Sequence, residues 1–327
     1  MNGARNIYEQ QAHNKRLTWM VMAGFVLFLA FIGFGFDYFY LRMYADDTLL
    51  PVGTIIAMVV GSTMAMGSLQ SGAKSVLQST GAVPADPANP AQKQLINVVE
   101  EMSIASGIPK PQVFVVPDAD PNAFATGKDP QHSYVAVTQG LLDSLNREEL
   151  QGVIAHEMSH VRNYDIRLMT VVAAFVGSIV LLSDSTRRGM RFGGLGGRSR
   201  SKNSGSLGAI FLVLWLIGII LAPLIAQVMA MLVSRRREYL ADASGAELTR
   251  NPQGLASALR KLEGATAPTE SIKRGAAHLC IVDPLGRSLN SKEGFAAELF
   301  GTHPPIEKRI LALDAMAYQY KTATSSV

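Results

Sequence analysis

The chain has 327 residues, of which 48% are hydrophobic, and a formal net charge of +4. This apolar content is high for a wholly soluble protein, and the length leaves room for two ordinary domains. A single cysteine, Cys280, excludes an intrachain disulfide and a cysteine-rich zinc site, so histidines and carboxylates would have to hold any metal. The densest basic stretch lies between two apolar segments without regularly interleaved aromatic residues, so nucleic-acid binding is not expected.

The first part of the chain has the pattern of a membrane hairpin. After a basic N-terminus, residues 1–16, an uncharged run from Leu17 to Phe36 is long enough to span a bilayer, and a second uncharged run covers Leu49 to Leu69. A cleaved signal peptide would have a shorter apolar run followed by a small-residue cleavage site. The Lys/Arg bias places residues 1–16 in the cytoplasm, so residues 17–69 are predicted to be a transmembrane hairpin that returns to the cytoplasm.

Residues 70–166 have the pattern of the first part of a soluble catalytic domain. An amphipathic helix is predicted near Lys93 to Ser106, and strands are predicted near 112–116 and 133–138. Between these strands, residues 122–127 (NAFATG) have two interpretations. They form either a short strand with an unpaired edge, which could bind an extended peptide by strand addition, or one arm of an ordinary hairpin.

An HExxH pattern, formed by His156, Glu157 and His160, is the clearest chemical signal in the chain. Positions i and i+4 of a helix share one face, so both imidazoles can bind one Zn²⁺, while Glu157 reaches a bound water instead of the metal. Asn146 followed by Glu149 predicts a capping box at the start of this helix. The alternative is a chance match on a purely structural helix.

Residues 167–233 are predicted to be a second hydrophobic hairpin. Its apolar runs, 168–182 and 207–233, flank a basic loop, residues 184–206, that is rich in Gly and Ser. If both runs crossed the membrane, this loop would lie outside, against the positive-inside rule. The shorter run covers only about 22 Å as a helix, which favours a hairpin that does not cross fully. Both alternatives stay open, and in either case residues 234–327 share a side with the HExxH helix.

The candidate for a third metal ligand lies in residues 234–327, the predicted second part of the catalytic domain. A catalytic zinc site usually has three protein ligands and one open position. Glu238 and Asp242 are four residues apart on a predicted helix and therefore face the same way. One carboxylate could bind zinc while the other accepts an imidazole N–H from a ligand. A solvated helix face with salt bridges is the competing interpretation.

Four separated motifs together resemble the HtpX-type membrane zinc metallopeptidases, which are related to the CAAX prenyl-protein endopeptidases. In chain order they are NAFATG, HEMSH, REYLAD and THPPIEKRI, and the resemblance covers roughly Leu17 to Leu313. It implies an α-helical membrane protein with a mainly helical zincin-like (α+β) metallopeptidase domain that carries a small sheet. It also implies one Zn²⁺ per chain.

The resemblance also implies roles for individual residues. The metal ligands would be His156, His160 and Glu238, with Glu157 as general base and Asp242 orienting a ligand. The other residues that match family motifs are His303, expected beside the active site, Arg309 in the same motif, and the substrate-binding edge of Asn122, Ala123, Phe124, Ala125 and Thr126.

The implied function is a multi-pass zinc endopeptidase of a prokaryotic inner membrane that cleaves peptide bonds at the cytoplasmic face. Its expected partners are the lipid bilayer and membrane-protein or unfolded polypeptide substrates, in the quality control of damaged or misfolded membrane proteins. Homo-oligomerisation stays open. One alternative is a processing endopeptidase for a dedicated membrane substrate, against which a broad cleavage profile would argue. Another is a non-catalytic membrane scaffold, which an absence of bound zinc would favour.

Overall fold

The structure, a computed structural model, describes residues 7–38, 50–177, 235–265, 271–272, 277–282 and 304–325. These residues are mostly helical and include one small mixed sheet, which confirms the expected fold class. The apolar residues 178–182 and 207–233, the basic loop and His303 lie outside the described residues.

Two long helices form the N-terminal hairpin. Helix α1 (Ile7–Phe36) and helix α2 (Val52–Ser79) pack along one another, and both are long and apolar enough to cross a membrane. Asp37 caps α2, because its carboxylate accepts hydrogen bonds from the Gly53 and Thr54 amides at 2.7 Å. Both helices run about ten residues beyond the predicted limits of the hairpin, so α1 and α2 extend directly into the rest of the protein.

The sheet has four strands in the spatial order β1-β2-β4-β3. Strands β2 and β4 are parallel, whereas β3 pairs with β4 in an antiparallel manner. The strands are β1 (Val83–Pro84), β2 (Gln112–Val116), β3 (Ala123–Asp129) and β4 (His132–Thr138). Both predicted strands are therefore confirmed, and residues 123–127 of the NAFATG motif lie on β3, at one edge of the sheet.

The remaining described helices pack around the HExxH helix. They are α3 (Pro90–Ser106), α4 (Gln139–Ser144), α5 (Arg147–Arg162), α6 (residues 165–177), α7 (Arg235–Thr249), α8 (Pro252–Gly264) and α9 (Ile306–Ser325). Helix α5 carries HExxH, and α3, α7, α8 and β3 all pack against it. The predicted apolar face of α3 is confirmed, since Leu95, Val98, Val99 and Met102 are buried in this core.

Helix α6 runs beside α1, from the end of the HExxH helix toward the N-terminal hairpin. At one end Asn14 of α1 contacts Asp165, and further along Phe25 stacks on Phe175 with ring centroids 3.9 Å apart. Phe25 lies eight residues after Leu17, a distance of about 12 Å along a helix. The first residues of the apolar run 168–182 therefore pack along the apolar part of α1.

Candidate metal centre

Local sequence explains why the HExxH segment is helical. The predicted capping box is present: the Asn146 side chain accepts from the Glu149 amide at 3.0 Å, and the Asn146 amide donates to Glu149 Oε2 at 2.8 Å. The Glu149 carboxylate also accepts hydrogen bonds from Ser257 and Lys261 of α8. The start of the metal-binding helix is therefore tied to a helix more than a hundred residues later.

The two imidazoles of HExxH turn the same ring nitrogen toward one point. His156 Nε2 and His160 Nε2 are 3.2 Å apart, and both side chains are almost completely buried. Two nitrogens that bind one tetrahedral zinc at 2.0–2.1 Å would be about 3.3 Å apart. Two histidines four residues apart on this helix therefore place their Nε2 atoms at a distance that suits one zinc ion.

Glu238 of α7 completes a group of three potential ligands. Its Oε1 lies 3.5 Å from His160 Nε2, and its Oε2 lies 3.7 Å from His156 Nε2. The potential ligand atoms of the three residues all lie within 4.8 Å of one another. Two imidazoles and one carboxylate are a usual donor set for a catalytic zinc ion, so the site fits the metal in chemistry and dimensions.

Helix α7 can approach this closely because it crosses α5 at a glycine. A Cβ atom on Gly245 would lie 3.0 Å from His156 N and 3.2 Å from His156 Cα. Contacts of that length are tighter than almost all real Cβ contacts. The absence of a side chain at Gly245 therefore lets α7 lie against the backbone of the first histidine.

A carboxylate stands behind each imidazole. His156 Nδ1 lies 2.9 Å from Asp242 Oδ1, and His160 Nδ1 lies 3.1 Å from Asp165 Oδ2. A carboxylate only accepts, so the proton of each neutral imidazole belongs on Nδ1, and the Nε2 lone pair faces the common point. Two acceptor nitrogens that face each other are an arrangement that a metal cation stabilises.

The charges at the site also favour a cation. Burial lowers the pKa of His156, and the nearby Asp242 only partly offsets it. Burial acts the same way on His160, but the hydrogen bond with Asp165 and the charge of Glu238 raise its pKa to about 9. The negative charge that favours a proton on His160 would equally favour a divalent metal.

Glu157, the remaining charged residue of HExxH, is buried and interacts electrostatically with His160 and Glu238. Its Oε1 has no hydrogen-bond partner among the described residues, while the Ala125 amide of β3 donates to its carboxylate. Burial, together with the charge of Glu238, raises the pKa of Glu157 to about 7. A carboxylate with this pKa can take up and release a proton near neutral pH, as a general base must.

Arg309 of α9 binds Asp242, a partner that the THPPIEKRI motif by itself does not indicate. Its guanidinium donates to both Asp242 oxygens, at 2.8 and 2.7 Å, and to the Ile281 carbonyl at 2.8 Å. Burial raises the pKa of Asp242, but the charge and hydrogen bonds of Arg309 outweigh this and lower it to about 2. Arg309, Asp242 and His156 therefore form a continuous chain from α9 to the potential ligand.

Asp165 is a site residue that the sequence analysis missed. It lies five residues after His160, where the chain leaves α5 and begins α6, and its side chain is buried. Arg237 of α7 is 3.4 Å from its Oδ1. The sequence signal that could have found it is an acidic residue just beyond the second histidine of HExxH.

Four of the predicted substrate-binding residues lie on β3 and Asn122 directly precedes it, but the edge of this strand is not open along its whole length. The Ile281 amide donates to the Ala123 carbonyl at 2.9 Å, and Cys280 pairs with Phe124. The expectation of an unpaired edge is therefore wrong at Ala123 and Phe124, because a later segment of the chain packs there. The other residues of the predicted edge are Asn122, Ala125 and Thr126.

All five side chains of this edge are buried, with at most 2% of their surface exposed. Asn122 donates to the Val282 carbonyl, and Thr126 contacts Thr170 of α6 through their hydroxyls. Any contact of these residues with a substrate would consequently involve the backbone of β3.

The chain is similar in sequence to known peptidases. Residues 89–317 match peptidase family M48. The protease HtpX homologue of Caldanaerobacter subterraneus subsp. tengcongensis is 44% identical over 312 residues, which cover 95% of this chain and 98% of that protein. The corresponding protein of Thermoanaerobacter pseudethanolicus has the same identity and coverage.

A similar solved structure is that of S. mikatae Ste24p, with 19% sequence identity and a TM-score of 0.49. The superposition covers 94% of this chain and 66% of the Ste24p chain.

Proposed function

Because the chain belongs to peptidase family M48 and is an HtpX-type zinc metallopeptidase of the membrane, we propose that it cleaves peptide bonds of membrane proteins at the cytoplasmic face. Its proposed role is the quality control of damaged or misfolded membrane proteins. The observation that carries this proposal is the attachment of the metal centre to the membrane hairpin through α6, which begins five residues after His160. The site would therefore lie close to the membrane surface, where substrates emerge from the bilayer.

We assign His156, His160 and Glu238 as the zinc ligands and Asp242 as the residue that orients His156. The support is the convergence of the two Nε2 atoms and the Glu238 carboxylate, together with the carboxylate that stands behind each imidazole. When bound, zinc supplies Lewis-acid catalysis and makes a water molecule acidic enough to react near neutral pH.

The chain's own proton transfers would go through Glu157. Its Oε1 is buried at the site, so it can accept a proton from the attacking water and later deliver it to the leaving amine. The Ala125 amide would hold the other part of this carboxylate in place. The proposed role of His303, to help stabilise the developing oxyanion, stays a prediction from its motif.

The substrate would lie along β3, and its register would be set by backbone contacts. The neighbouring segment, residues 280–282, is in contact with one end of this strand, so an extended peptide would either use the other end or displace that segment. Backbone recognition depends little on side chains, which suits an enzyme that must accept many damaged proteins.

The test of catalysis is Glu157→Gln in the purified full-length protein. The variant should retain zinc, since Glu157 is not a ligand, and should lose at least about 10²-fold in the rate of peptide cleavage. His156→Ala and His160→Ala should lose both zinc and activity. Loss of zinc from Glu157→Gln to the same extent as from His156→Ala would contradict the assigned role. A cleavage profile restricted to one site of one membrane protein would instead indicate a processing endopeptidase.

The ligand assignment has its own test in two variants of α7. Glu238→Ala should abolish tight zinc binding, whereas Asp242→Ala should weaken zinc affinity by about 10- to 100-fold, as outer partners of ligands usually do. Zinc content after dialysis against a graded chelator series would rank the two. Full metal occupancy in Glu238→Ala would show that the third ligand is another residue.

A further inference from the structure

The polar start of helix α1 docks on the turn that follows the metal-binding helix. Gln11, Asn14, Lys15 and Thr18 are spaced as i, i+3, i+4 and i+7, so they share one face of the helix. This face, which we call the polar seam, contacts residues 162–165. The expected cytoplasmic N-terminus is thus continuous with α1 and packed against the peptidase from residue 11 onward.

Asn14 makes the central contact of the polar seam. Its side-chain amide donates to the Asn163 carbonyl at 2.9 Å and to Asp165 Oδ1 at 2.6 Å. The side chain is 4% exposed, and Thr18, which is fully buried, donates its hydroxyl to the Asn14 carbonyl. Both donor hydrogens of this amide are therefore used, and both go to the turn that carries Asp165.

The turn itself has a conformation that needs support from outside. Tyr164 has a φ of 59°, which is unfavourable for a residue with a side chain, and the Lys15 ammonium lies 4.0 Å above its ring. Gln11 also donates to the Arg162 carbonyl at 2.8 Å. Contacts from α1 therefore reach the residues that lead into Asp165 as well as Asp165 itself.

Asp165 is the residue of this turn whose side chain forms a hydrogen bond with a proposed ligand. Its Oδ2 accepts from His160 Nδ1, while its Oδ1 accepts from Asn14. The two oxygens of one carboxylate thus join the first membrane helix to the second histidine of HExxH. A rotation of this carboxylate would change both the tautomer and the direction of the imidazole.

We propose that Asn14 is a positioning residue of the zinc site, which acts through Asp165 to hold the His160 imidazole in its ligand orientation. The proposal rests on His160 being a zinc ligand, as assigned above. Its consequence is that the start of the first membrane helix is part of the metal centre as well as of the anchor.

The experiment measures zinc affinity of the full-length protein in detergent by competition with a chromophoric chelator. Asn14→Leu should weaken affinity by about 3- to 10-fold, less than the 10- to 100-fold expected for Asp165→Asn, because Asn14 acts one contact further away. The visible spectrum of the Co²⁺-loaded protein should shift in both variants, since the ligand geometry changes. Asn14→Ser, which is too short to reach both acceptors, gives a second variant if Asn14→Leu does not fold.

Gln11→Leu is the matched control. Gln11 lies on the same face and makes the same type of amide-to-carbonyl hydrogen bond, but it does not contact Asp165. Its loss should leave zinc affinity and the Co²⁺ spectrum unchanged. An equal effect of Gln11→Leu and Asn14→Leu would overturn the proposal, because docking of α1 alone would then explain both.

A double variant tests the route through Asp165. In the Asp165→Asn background, Asn14→Leu should have little further effect on zinc affinity, since the two residues act in series. Additive losses, or wild-type affinity in Asn14→Leu, would refute the positioning role. Full zinc binding by His160→Ala would instead show that His160 is not a ligand. Failure of the positioning role of Asn14 can therefore be told apart from failure of the ligand assignment.

Discussion

At the scale of single residues, two successive layers of contacts support the two imidazoles. Asp242 and Asp165 stand behind His156 and His160, and each carboxylate is in turn held by a donor from another helix. Arg309 of α9 supports the first and Asn14 of α1 supports the second. The contacts that support the candidate ligands thus come from helices at both ends of the chain.

Arg309→Met tests the first of these supports. Arg309 has no exposed surface, and its removal would leave the buried Asp242 carboxylate without a charged partner. We expect a loss of about 3 kcal/mol in the free energy of unfolding, together with weaker zinc binding. Chemical unfolding in detergent and zinc titration would measure the two effects.

The control for this prediction is the double variant Arg309→Met with Asp242→Asn. It removes both charges, so its stability should be higher than the sum of the two single losses predicts. Wild-type stability of Arg309→Met would show that Asp242 finds another partner.

At the scale of elements, close helix contacts position α5. A Cβ atom on Gly152 would lie 2.7 Å from Leu255 N and 2.9 Å from Leu255 Cα, so α8 packs directly on the α5 backbone. Backbone atoms cannot move aside as a side chain can. Gly152→Ala should therefore destabilise the fold by about 1–3 kcal/mol, measured by thermal or chemical unfolding.

Gly264→Ala is the matched comparison for that substitution. Gly264 is the last residue of α8, and a Cβ atom there would meet nothing within 4 Å. This variant should be neutral or more stable by up to about 1 kcal/mol, because alanine restricts the unfolded chain. Equal stability of the two variants would mean that α5 and α8 can separate at no cost.

The capping box of α5 predicts a dependence of stability on pH. Burial raises the pKa of Glu149, but hydrogen bonds from Lys261 and Ser257 outweigh this and hold it below its ordinary value of 4.5. The unfolded chain therefore binds the proton first as the pH falls. The stabilisation by this carboxylate is present above about pH 4.5 and is lost as the pH falls through the lower, folded-state pKa.

Unfolding midpoints of the wild type and Glu149→Gln at about pH 7 and about pH 4 would check this contribution. The wild type should lose more stability than the variant on acidification, because Gln does not titrate. Identical losses would show that the Glu149 carboxylate has the same pKa in the folded and unfolded states.

At the scale of the whole molecule, membrane anchor and peptidase share helices. Both α1 and α2 continue from the candidate spans into the catalytic part, and α6 connects the metal-binding helix back to the hairpin. The side of the membrane on which the site lies is therefore determined by the orientation of α1. The excess of Lys and Arg in residues 1–16 predicts the cytoplasm.

Cysteine labelling in intact cells would test this orientation. In a Cys280→Ser background, Ala88→Cys and Leu311→Cys, at exposed positions of the catalytic part, should resist a membrane-impermeant thiol reagent. Leu50→Cys, exposed between α1 and α2, should react. Permeabilised cells provide the control, since all three should then label. Reaction at Ala88 and protection at Leu50 would reverse the predicted sidedness.

The features that the sequence alone determined are those with a local cause. The helix with HExxH follows from a capping box and from histidines four residues apart, and the apolar face of α3 follows from its helical spacing. The strands β2 and β4 lie where short apolar runs predicted them, and the two long helices lie where long uncharged runs predicted them. The helices are closed by hydrogen bonds between residues four apart, and the strands are recognisable from their own short apolar pattern, although β2 and β4 pair with residues about 22 positions away.

Only the tertiary structure decided which distant residues support the candidate ligands and cover the strand edge. Asn14 and Asp165 are 151 positions apart in the chain, and Asp242 and Arg309 are 67 positions apart. Asn122 and Val282, whose contact lies at the end of the strand edge, are 160 positions apart. No periodic pattern relates such positions, because their contacts depend on how helices pack. The motifs therefore indicated the candidate ligands and Asp242, whereas packing determined that Arg309 contacts Asp242 and that Asp165 and Asn14 stand behind His160.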